Sequence, residues 1–304
     1  MQTKWLTALY IFILVVLWGV SFSIYKVALH YSPPVLFAGI RTFFGGIILL
    51  CIALMQRRRP QVRKHFFVYL ISALFNVFLF FGLQTLGLNY LPAGLFSVLV
   101  YLEPVLVGLF AWLWLGEQMS WTKVIGLICG FLGVAAISAR SLTSHLSVIG
   151  IILGILTAIG WGIGTVYSKK AQERVDMMWL LTCQFLIGGF LLMCAGSVME
   201  PWTSVDWTAM PFILSTLFGG FFGIAFSWII WFRLVNMGEA TRIAAFTFFV
   251  PLISVLTSVL FLHETVNEWL IVGLILIIVG IYLTNKQKKA KSPATPPIQH
   301  QQTL

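Results

Sequence analysis

The sequence predicts an all-α integral membrane protein with about ten transmembrane helices, arranged as two five-helix repeats of inverted topology. Three observations lead to this fold class. The 304-residue chain is 60% hydrophobic and only 9% charged, with a mean hydropathy of +0.97. Its apolar residues fall into about ten segments, each close to the roughly 20 residues that a helix needs to cross a bilayer. Related segments also recur in the two halves of the chain.

The apolar segments follow one another with short polar connections, which leaves almost no chain for a water-soluble domain. In order they are Leu6–Leu29, Val35–Met55, Phe66–Leu88, Ala93–Leu115, Thr122–Ala139, Ile149–Tyr167, Met177–Val198, Pro211–Leu234, Ile243–Leu262 and Trp269–Thr284. The final residues, 286–304, are rich in Lys, Pro and Gln, and this composition predicts a disordered cytoplasmic tail.

The repeat is visible as a gap-free match between the ends of the two halves. LGEQMSWTKVIGLICGFLGV, from Leu115, aligns with LHETVNEWLIVGLILIIVGI, from Leu262. Because each half has five spans, an odd number, the second half would enter the membrane from the opposite side. We therefore expect repeats at 1–146 and 147–285. Matched positions include Glu117 with Glu264, Pro104 with Pro251 and, in the first helix of each half, Trp18 with Trp161.

The chain has a net charge of +10, and its basic residues lie in short loops that mostly fall on one side of the membrane. A cytoplasmic N-terminus would put nearly all Lys and Arg inside and would leave Glu200, Asp206, Glu264 and Glu268 outside, as the positive-inside rule requires. The sequence therefore predicts a plasma-membrane protein with both termini in the cytoplasm and no nucleic-acid partner.

Several motifs together resemble the EamA-type transporters of the drug/metabolite transporter superfamily. They are WGVSFSIYKVAL in the first span, FAGIRTFFGGIIL in the second, LEPVLVGLFAWLWLGE in the fourth, WGIGTVYSKKA in the sixth and VPLISVLTSVLFLHE in the ninth. The resemblance covers about residues 5–285. It implies ten helices, a central cavity and transport of small metabolites, often as an exporter.

Glu103 is the one acidic residue that we place well inside a span. A charge near the bilayer centre costs about 2.5–3.5 kcal/mol on insertion scales, so it needs a partner or a water-filled cavity. Arg41 comes to within about 5 Å of the same depth, at 1.5 Å per residue. We predict that the two form an ion pair or share one polar network. The pair is either architectural, or it lines the cavity, with Arg41 meeting a substrate carboxylate or Glu103 carrying a proton.

Pro104 and Pro251 are expected to kink corresponding spans, because proline removes a helical hydrogen bond. Paired interruptions point to a transporter's binding site, although simple packing kinks are the alternative. The remaining candidates for the cavity are mainly aromatic and amide side chains, each of which could instead serve packing or an interfacial belt. They are Trp18, Lys26, Asn76, Gln84, Tyr101, Trp161, Gln184, Trp228, Trp231 and Phe248.

The function that these patterns favour is secondary transport by alternating access around a midplane cavity, most simply export of amino acids, nucleosides or drug-like compounds. An uncoupled facilitator or channel, or a membrane scaffold, is the alternative. Neither the cysteines nor the histidines have a spacing that predicts a metal, cofactor or catalytic site. The Gly126-x-x-x-Gly130 and Gly219-x-x-x-Gly223 motifs suit helix packing and leave a homodimer open.

Overall fold

The computed structural model describes residues 2–56, 61–91, 93–137, 147–262 and 269–286. Within these ranges the chain is helical apart from short turns, and none of it forms a strand. Seven helical runs are long and apolar enough to cross a membrane, and three shorter apolar helices lie at 121–136, 240–254 and 271–285. The all-α, multi-pass character expected from the sequence is therefore confirmed.

The elements that build this fold are α-helices joined by short turns. In chain order they are α1 (Gln2–Ala28), α2 (Pro34–Met55), α3 (Val62–Ala73), α4 (Phe80–Tyr90), α5 (Ala93–Val100), α6 (Glu103–Leu115), α7 (Trp121–Ile137), α8 (Val148–Ala171), α9 (Met177–Met199), α10 (Met210–Phe218), α11 (Ser227–Met237), α12 (Ala240–Ala245), α13 (Phe249–Leu262) and α14 (Trp269–Asn285). Helices dominate because lipid offers no hydrogen bonds, so each segment must satisfy its own backbone.

Two long helical runs contain a wider π-helical turn. The segment π1 (Leu74–Leu79) joins α3 to α4, and π2 (Gly219–Phe226) joins α10 to α11. Such turns hold more residues than an α-helical turn and are frequent at functional sites. They occupy corresponding places in the two halves, at the offset that relates Pro104 to Pro251.

Two other runs are interrupted beside a proline. The helix α5 ends at Val100, and α6 begins at Glu103 with Pro104 in its first turn. Because Pro104 has no N–H, the carbonyl of Val100 lacks its helical partner. In the second half a 3₁₀ turn, Phe246–Phe248, separates α12 from α13, whose first turn contains Pro251.

Glycines allow two pairs of helices to approach closely. On α7 and α14, a Cβ atom added to Gly126 would lie 2.7 Å from the Gly280 carbonyl oxygen, and one added to Gly280 would lie 2.5 Å from the Gly130 amide nitrogen. On α2 and α9, a Cβ on Gly189 would lie 2.5 Å from the Phe43 amide nitrogen. The Gly126-x-x-x-Gly130 spacing thus serves packing within the chain.

Polar side chains from distant parts of the chain hold several helix ends. The carboxylate of Glu200 accepts the amides of Val35 (3.0 Å) and Leu36 (2.7 Å), and so caps α2. Asp176 caps α9 in the same way through the amide of Met178 at 3.0 Å. The predictions made for Glu264, Glu268 and the tail beyond residue 286 lie outside the described residues.

Candidate functional site: a buried aromatic cavity

A small cavity of ≈ 30 Å³, lined by buried side chains, lies where helices from both halves of the chain converge. This volume has room for about two water molecules. Its walls come from α1, α4, the end of α5, α8, π2 and α11. The lining residues are Trp18, Ser21, Phe22, Tyr25, Phe80, Phe81, Gln84, Val100, Tyr101, Trp161, Gly223 and Trp228.

The sequence prediction placed five of these residues in the cavity: Trp18, Gln84, Tyr101, Trp161 and Trp228. The others were missed, although one signal was available. Ser21, Phe22 and Tyr25 follow Trp18 at three, four and seven residues, which is the spacing of one helical face. A cavity residue at Trp18 therefore implies the rest of that face on α1.

The aromatic rings pack densely around the cavity. Trp18 meets Trp161 edge to face at a centroid distance of 5.3 Å and lies 5.4 Å from Trp231. Phe80 lies 4.7 Å from Trp161. The indole nitrogens of Trp161 and Trp231 have no hydrogen-bond partner in the described part of the chain. Trp161 lines the cavity, whereas Trp231 lies behind the wall against the two other tryptophans.

Two further candidates lie away from the cavity. Phe248 is buried against α7, where a Cβ atom on Gly130 would collide with its ring. Lys26 donates from Nζ to the Leu88 carbonyl oxygen at 2.6 Å and so ties the end of α1 to α4. Both residues therefore have packing contacts that account for their positions.

Asn76 and Gln184 belong to a second buried polar group, which we call the Ser72 network. The Ser72 hydroxyl donates to Gln184 Oε1 at 2.5 Å and lies 2.8 Å from Ser168 Oγ. Asn76 donates from Nδ2 to Ser168 Oγ at 2.8 Å and to the Gly164 carbonyl at 3.1 Å. These contacts join α3 and π1 to α8 and α9, so the network ties helices of the two halves together.

Arg41 is fully buried on α2, one layer behind the cavity wall. Its guanidinium carbon lies 4.0 Å from the ring centroid of Tyr25 and 4.7 Å from that of Phe81, and both rings line the cavity. Its Nη2 atom reaches the Thr85 hydroxyl at 3.4 Å, while Nε and Nη1 have no partner in the described residues.

The predicted ion pair between Arg41 and Glu103 is wrong. Glu103 is fully buried, and neither of its carboxylate oxygens has a hydrogen-bond partner in the part of the chain that the structure describes. The Thr165 hydroxyl lies beside it without hydrogen-bonding geometry. The physical reason is helix placement, because α2 packs on α9 and π2, whereas α6 packs on α8 and α12. Equal depth did not bring the two side chains together.

Sequence reasoning gave Glu117 no role, yet it organises a polar cluster at one end of the bundle. Its Oε1 accepts the Ala240 amide at 2.6 Å and Lys169 Nζ at 3.1 Å, and its Oε2 accepts the Thr241 hydroxyl at 2.7 Å. Burial would raise the pKa of Glu117, but the Thr241 hydroxyl, Lys169 and the Ala240 amide outweigh it and lower that pKa below its ordinary value. The carboxylate thereby holds the start of α12 against α6 and α8.

An open cavity of ≈ 460 Å³ adjoins this Glu117 cluster. Lys169 also donates to the Gly238 carbonyl oxygen at 2.6 Å, and Lys123 pairs with Glu239 at 2.7 Å. No group of three His, Cys, Asp or Glu side chains in the described residues could hold a metal ion.

The arrangement defines a class of protein, namely a multi-pass helical membrane protein with an aromatic cavity shared by several helices. The chain belongs to the EamA-like transporter family, whose model matches residues 5–139 and again residues 148–286. It is therefore a membrane transporter of the drug/metabolite type. The resemblance recognised in the sequence is confirmed.

Relatives along nearly the whole chain carry transporter names. A Bacillus subtilis protein described as "Uncharacterized transporter YvbV" is 50% identical, over 95% of this chain and 94% of its own. A "Probable amino-acid metabolite efflux pump" of Escherichia coli is 25% identical, over 89% of this chain and 92% of its own. These names indicate a transporter rather than an enzyme.

A solved crystal structure has the same fold. Its TM-score is 0.76 at 19% sequence identity, and the match covers 92% of this chain and 96% of that one.

Proposed function

We propose that this protein is a secondary transporter that exports small organic metabolites by alternating access around the aromatic cavity. The proposal rests on the wall of this cavity, to which both halves of the chain contribute side chains. Trp18, Phe80 and Tyr101 come from the first half of the chain, whereas Trp161 and Trp228 come from the second. A rocking motion between the halves would therefore change access to whatever the cavity holds.

We propose further that the chain forms ten spans in two inverted five-helix repeats, at 1–146 and 147–285, with the three shorter apolar helices also crossing the bilayer. Support comes from the family model, which matches the chain twice. The helices that the repeat makes equivalent also pack on each other, α2 on α9 and α7 on α14. The symmetric π turns and proline interruptions agree with the same duplication.

The side chains that line this cavity suit a small molecule with an apolar or aromatic part. Amino acids, nucleosides and drug-like compounds share that property. Rings of Trp18, Trp161 and Phe80 would stack on such a part, and the Gln84 amide would supply a hydrogen bond. The efflux-pump name of the Escherichia coli relative favours amino acids within this class. Because the cavity now has room for about two water molecules, we propose that the two halves move apart to admit such a molecule.

Glu103 is the residue that we propose for proton coupling. An ionised carboxylate without hydrogen bonds is costly in an apolar site, and a bound proton removes that cost. The Thr165 hydroxyl beside Glu103 belongs to the helix turn that follows Trp161, so the carboxyl group lies next to the cavity wall. Loading and release of a proton there would change the packing between α6 and α8.

Transport into proteoliposomes tests the function and the coupling together. A mixed metabolite pool is offered with and without a pH gradient, and the trapped compounds are read by mass spectrometry. The wild type should accumulate a defined set of compounds, and Glu103→Gln should lose the response to the gradient. Glu173→Gln, which changes an exposed carboxylate, is the matched control. Accumulation that is equal for all three proteins and independent of pH would make the protein an uncoupled facilitator.

The proposed orientation in the plasma membrane, with both termini inside, can be tested by labelling. The native Cys51 and Cys194 are exposed and are first replaced by Ser. A membrane-impermeant maleimide should then label Asp206→Cys, but not Glu173→Cys, in intact cells. The reverse pattern would show the opposite orientation.

A further inference from the structure

Arg41 is a buried cation whose charge and hydrogen-bond donors are only partly satisfied by the described residues around it. Its side chain has no exposed surface, and the ion pairs among the described residues involve Glu117 and Glu239 instead. Two of its three nitrogens, Nε and Nη1, have no hydrogen-bond partner there. A buried charge is expensive unless it is paired, because it gives up hydration without compensation. The described protein groups leave that compensation incomplete.

The aromatic neighbours of Arg41 compensate the charge only in part. Tyr25, Phe81 and Phe37 lie with ring centroids 4.0, 4.7 and 5.5 Å from the guanidinium carbon. Ring faces attract a cation through their quadrupole. They do not replace hydrogen bonds in the guanidinium plane, where carboxylates bind. Although the Tyr25 side chain lies close, Nε and Nη1 donate to no protein partner among the described residues, so the edge of the group is available for a further acceptor.

The position of Arg41 connects it to the cavity. Tyr25 and Phe81 each have one side on the guanidinium and one on the cavity. A Cβ atom on Gly219 of π2 would come within 3.4 Å of Arg41 Cδ, and Gly223, one turn later, lines the cavity. The Tyr25 ring stands between Arg41 and the cavity, so a molecule in the cavity would reach the guanidinium only after that ring moves.

We infer that Arg41 is the anion-binding half of the substrate site and that the substrate carries a carboxylate. This inference rests on the proposed function and specifies its substrate class. The aromatic cavity would hold the apolar part, and Arg41 would form charge-assisted hydrogen bonds to the acid group. One guanidinium matches the single charge of a carboxylate. Lys26, the other cation within this end of the bundle, already donates to Leu88.

Binding is tested on the purified full-length protein in lipid nanodiscs, without any transport step. Acetate, phenylacetate and indole-3-acetate are titrated beside their amides, which match them in shape and lack the charge. Thermal stability and tryptophan fluorescence report occupancy. At least one acid should bind the wild type more tightly than its amide. Arg41→Gln should weaken that acid by about 10- to 100-fold, the usual range for a hydrogen bond to a charged group.

Two further variants separate charge from packing. Arg41→Lys should recover part of the affinity, because lysine retains the positive charge but lacks the planar guanidinium with its paired N–H donors. Lys26→Gln, the control for a cation that is already satisfied, should bind the acids as the wild type does. The ligand-free melting temperature of Arg41→Gln should equal or exceed that of the wild type, since a site kept for a ligand is not optimised for stability.

The inference is overturned if none of the three acids binds, if the amides bind equally well, or if Arg41→Gln leaves acid binding unchanged. An Arg41→Gln protein that melts at a lower temperature or fails to fold would show that Arg41 is architectural, which also overturns it. These outcomes are distinct from a failure of the proposed function. If the protein transports only neutral or cationic compounds, the proposed function stands and the carboxylate inference fails. If it binds acids but transports nothing, the carboxylate inference stands and the proposed function fails.

Discussion

Trp18 and Trp161, which occupy equivalent places in the two halves of the chain, meet edge to face with their ring centroids 5.3 Å apart. The sequence allowed these residues either to pack the first helices of the repeats together or to line a cavity. In the structure the two residues serve both purposes at once, because the rings contact each other and both residues also line the cavity. The contact between the halves is thus part of the cavity wall.

Trp161→Phe should weaken substrate binding while leaving the fold intact. The indole N–H of Trp161 has no partner in the described residues, and the residue lines the cavity, so we expect a substrate acceptor to bind this N–H. Loss of one neutral hydrogen bond should lower affinity by about 2- to 10-fold. The control is Trp231→Phe, since that indole is equally buried and unpartnered but lies behind the wall. Equal effects of the two changes on the apparent KM for transport would contradict the assignment.

Glu117→Gln should loosen the start of α12 and weaken the response of stability to acid. In the folded protein the pKa of Glu117 lies below the ordinary value of 4.5. The carboxylate therefore stabilises the fold fully above about pH 4.5, and that contribution is lost as the pH falls through the lower folded pKa. The variant should be less stable at neutral pH by about 1–3 kcal/mol, as expected for a lost charge-assisted hydrogen-bond set.

Melting temperatures of the wild type and Glu117→Gln, measured between neutral and acidic pH, check this expectation. The difference between the two proteins should shrink at low pH. Glu173→Gln provides the control, because Glu173 is an exposed carboxylate on the same open cavity. A constant difference across the pH range would show that Glu117 acts through packing alone.

Ser72→Ala should destabilise the contact of α3 and π1 with α8 and α9. The Ser72 hydroxyl bonds to both Gln184 and Ser168, so its removal breaks two buried hydrogen bonds and leaves Asn76 Nδ2 as the remaining donor near both acceptors. Hydrogen bonds between membrane helices contribute about 0.5–2 kcal/mol. Thr157→Val is the matched control, since that buried hydroxyl, among the described residues, bonds only to the Leu153 carbonyl of its own helix. Thermal or denaturant unfolding in detergent that ranks Thr157→Val as the more damaging change would refute the importance of the network.

Gly280→Ala should separate α14 from α7 and lower the melting temperature. The added methyl group would lie 2.5 Å from the Gly130 amide nitrogen, a backbone atom that cannot move aside without shifting the helix. Overpacking of this kind costs about 1–3 kcal/mol. Gly238→Ala should be tolerated, because nothing lies within 4 Å of its added Cβ atom. Similar stabilities of the two variants would mean that the helices separate without cost.

The hydropathy of the sequence was sufficient to locate the helices, because ten apolar segments correspond in position to seven long runs and three shorter helices. It could not reveal π1 and π2. A residue such as Asn76 has the same local propensity in an α or a π turn, and the wider turn is stabilised by contacts with α8 and α9 that are distant in sequence.

The site could be predicted only in part, because the sequence does not show which helices contact one another. The internal repeat singled out Trp18 and Trp161, and a helical face through Trp18 would have added Tyr25. The pairing of Arg41 with Glu103 failed because residue depth fixes only one coordinate of a side chain. The neighbours of each helix and its rotation about its axis decide the other two, and neither can be read from an apolar segment.

The wide turn π1 has a consequence for the helix that contains it. It holds one residue more than an α turn, so the α-helices before and after it stay in phase around the widened turn. Asn76 lies in this turn and contacts the Ser72 network, whereas Gln84, eight residues later, lines the cavity. One helix is thus anchored to the opposite half of the chain at one end and contributes to the cavity wall at the other. A movement between the halves that displaces Asn76 would therefore displace Gln84 as well.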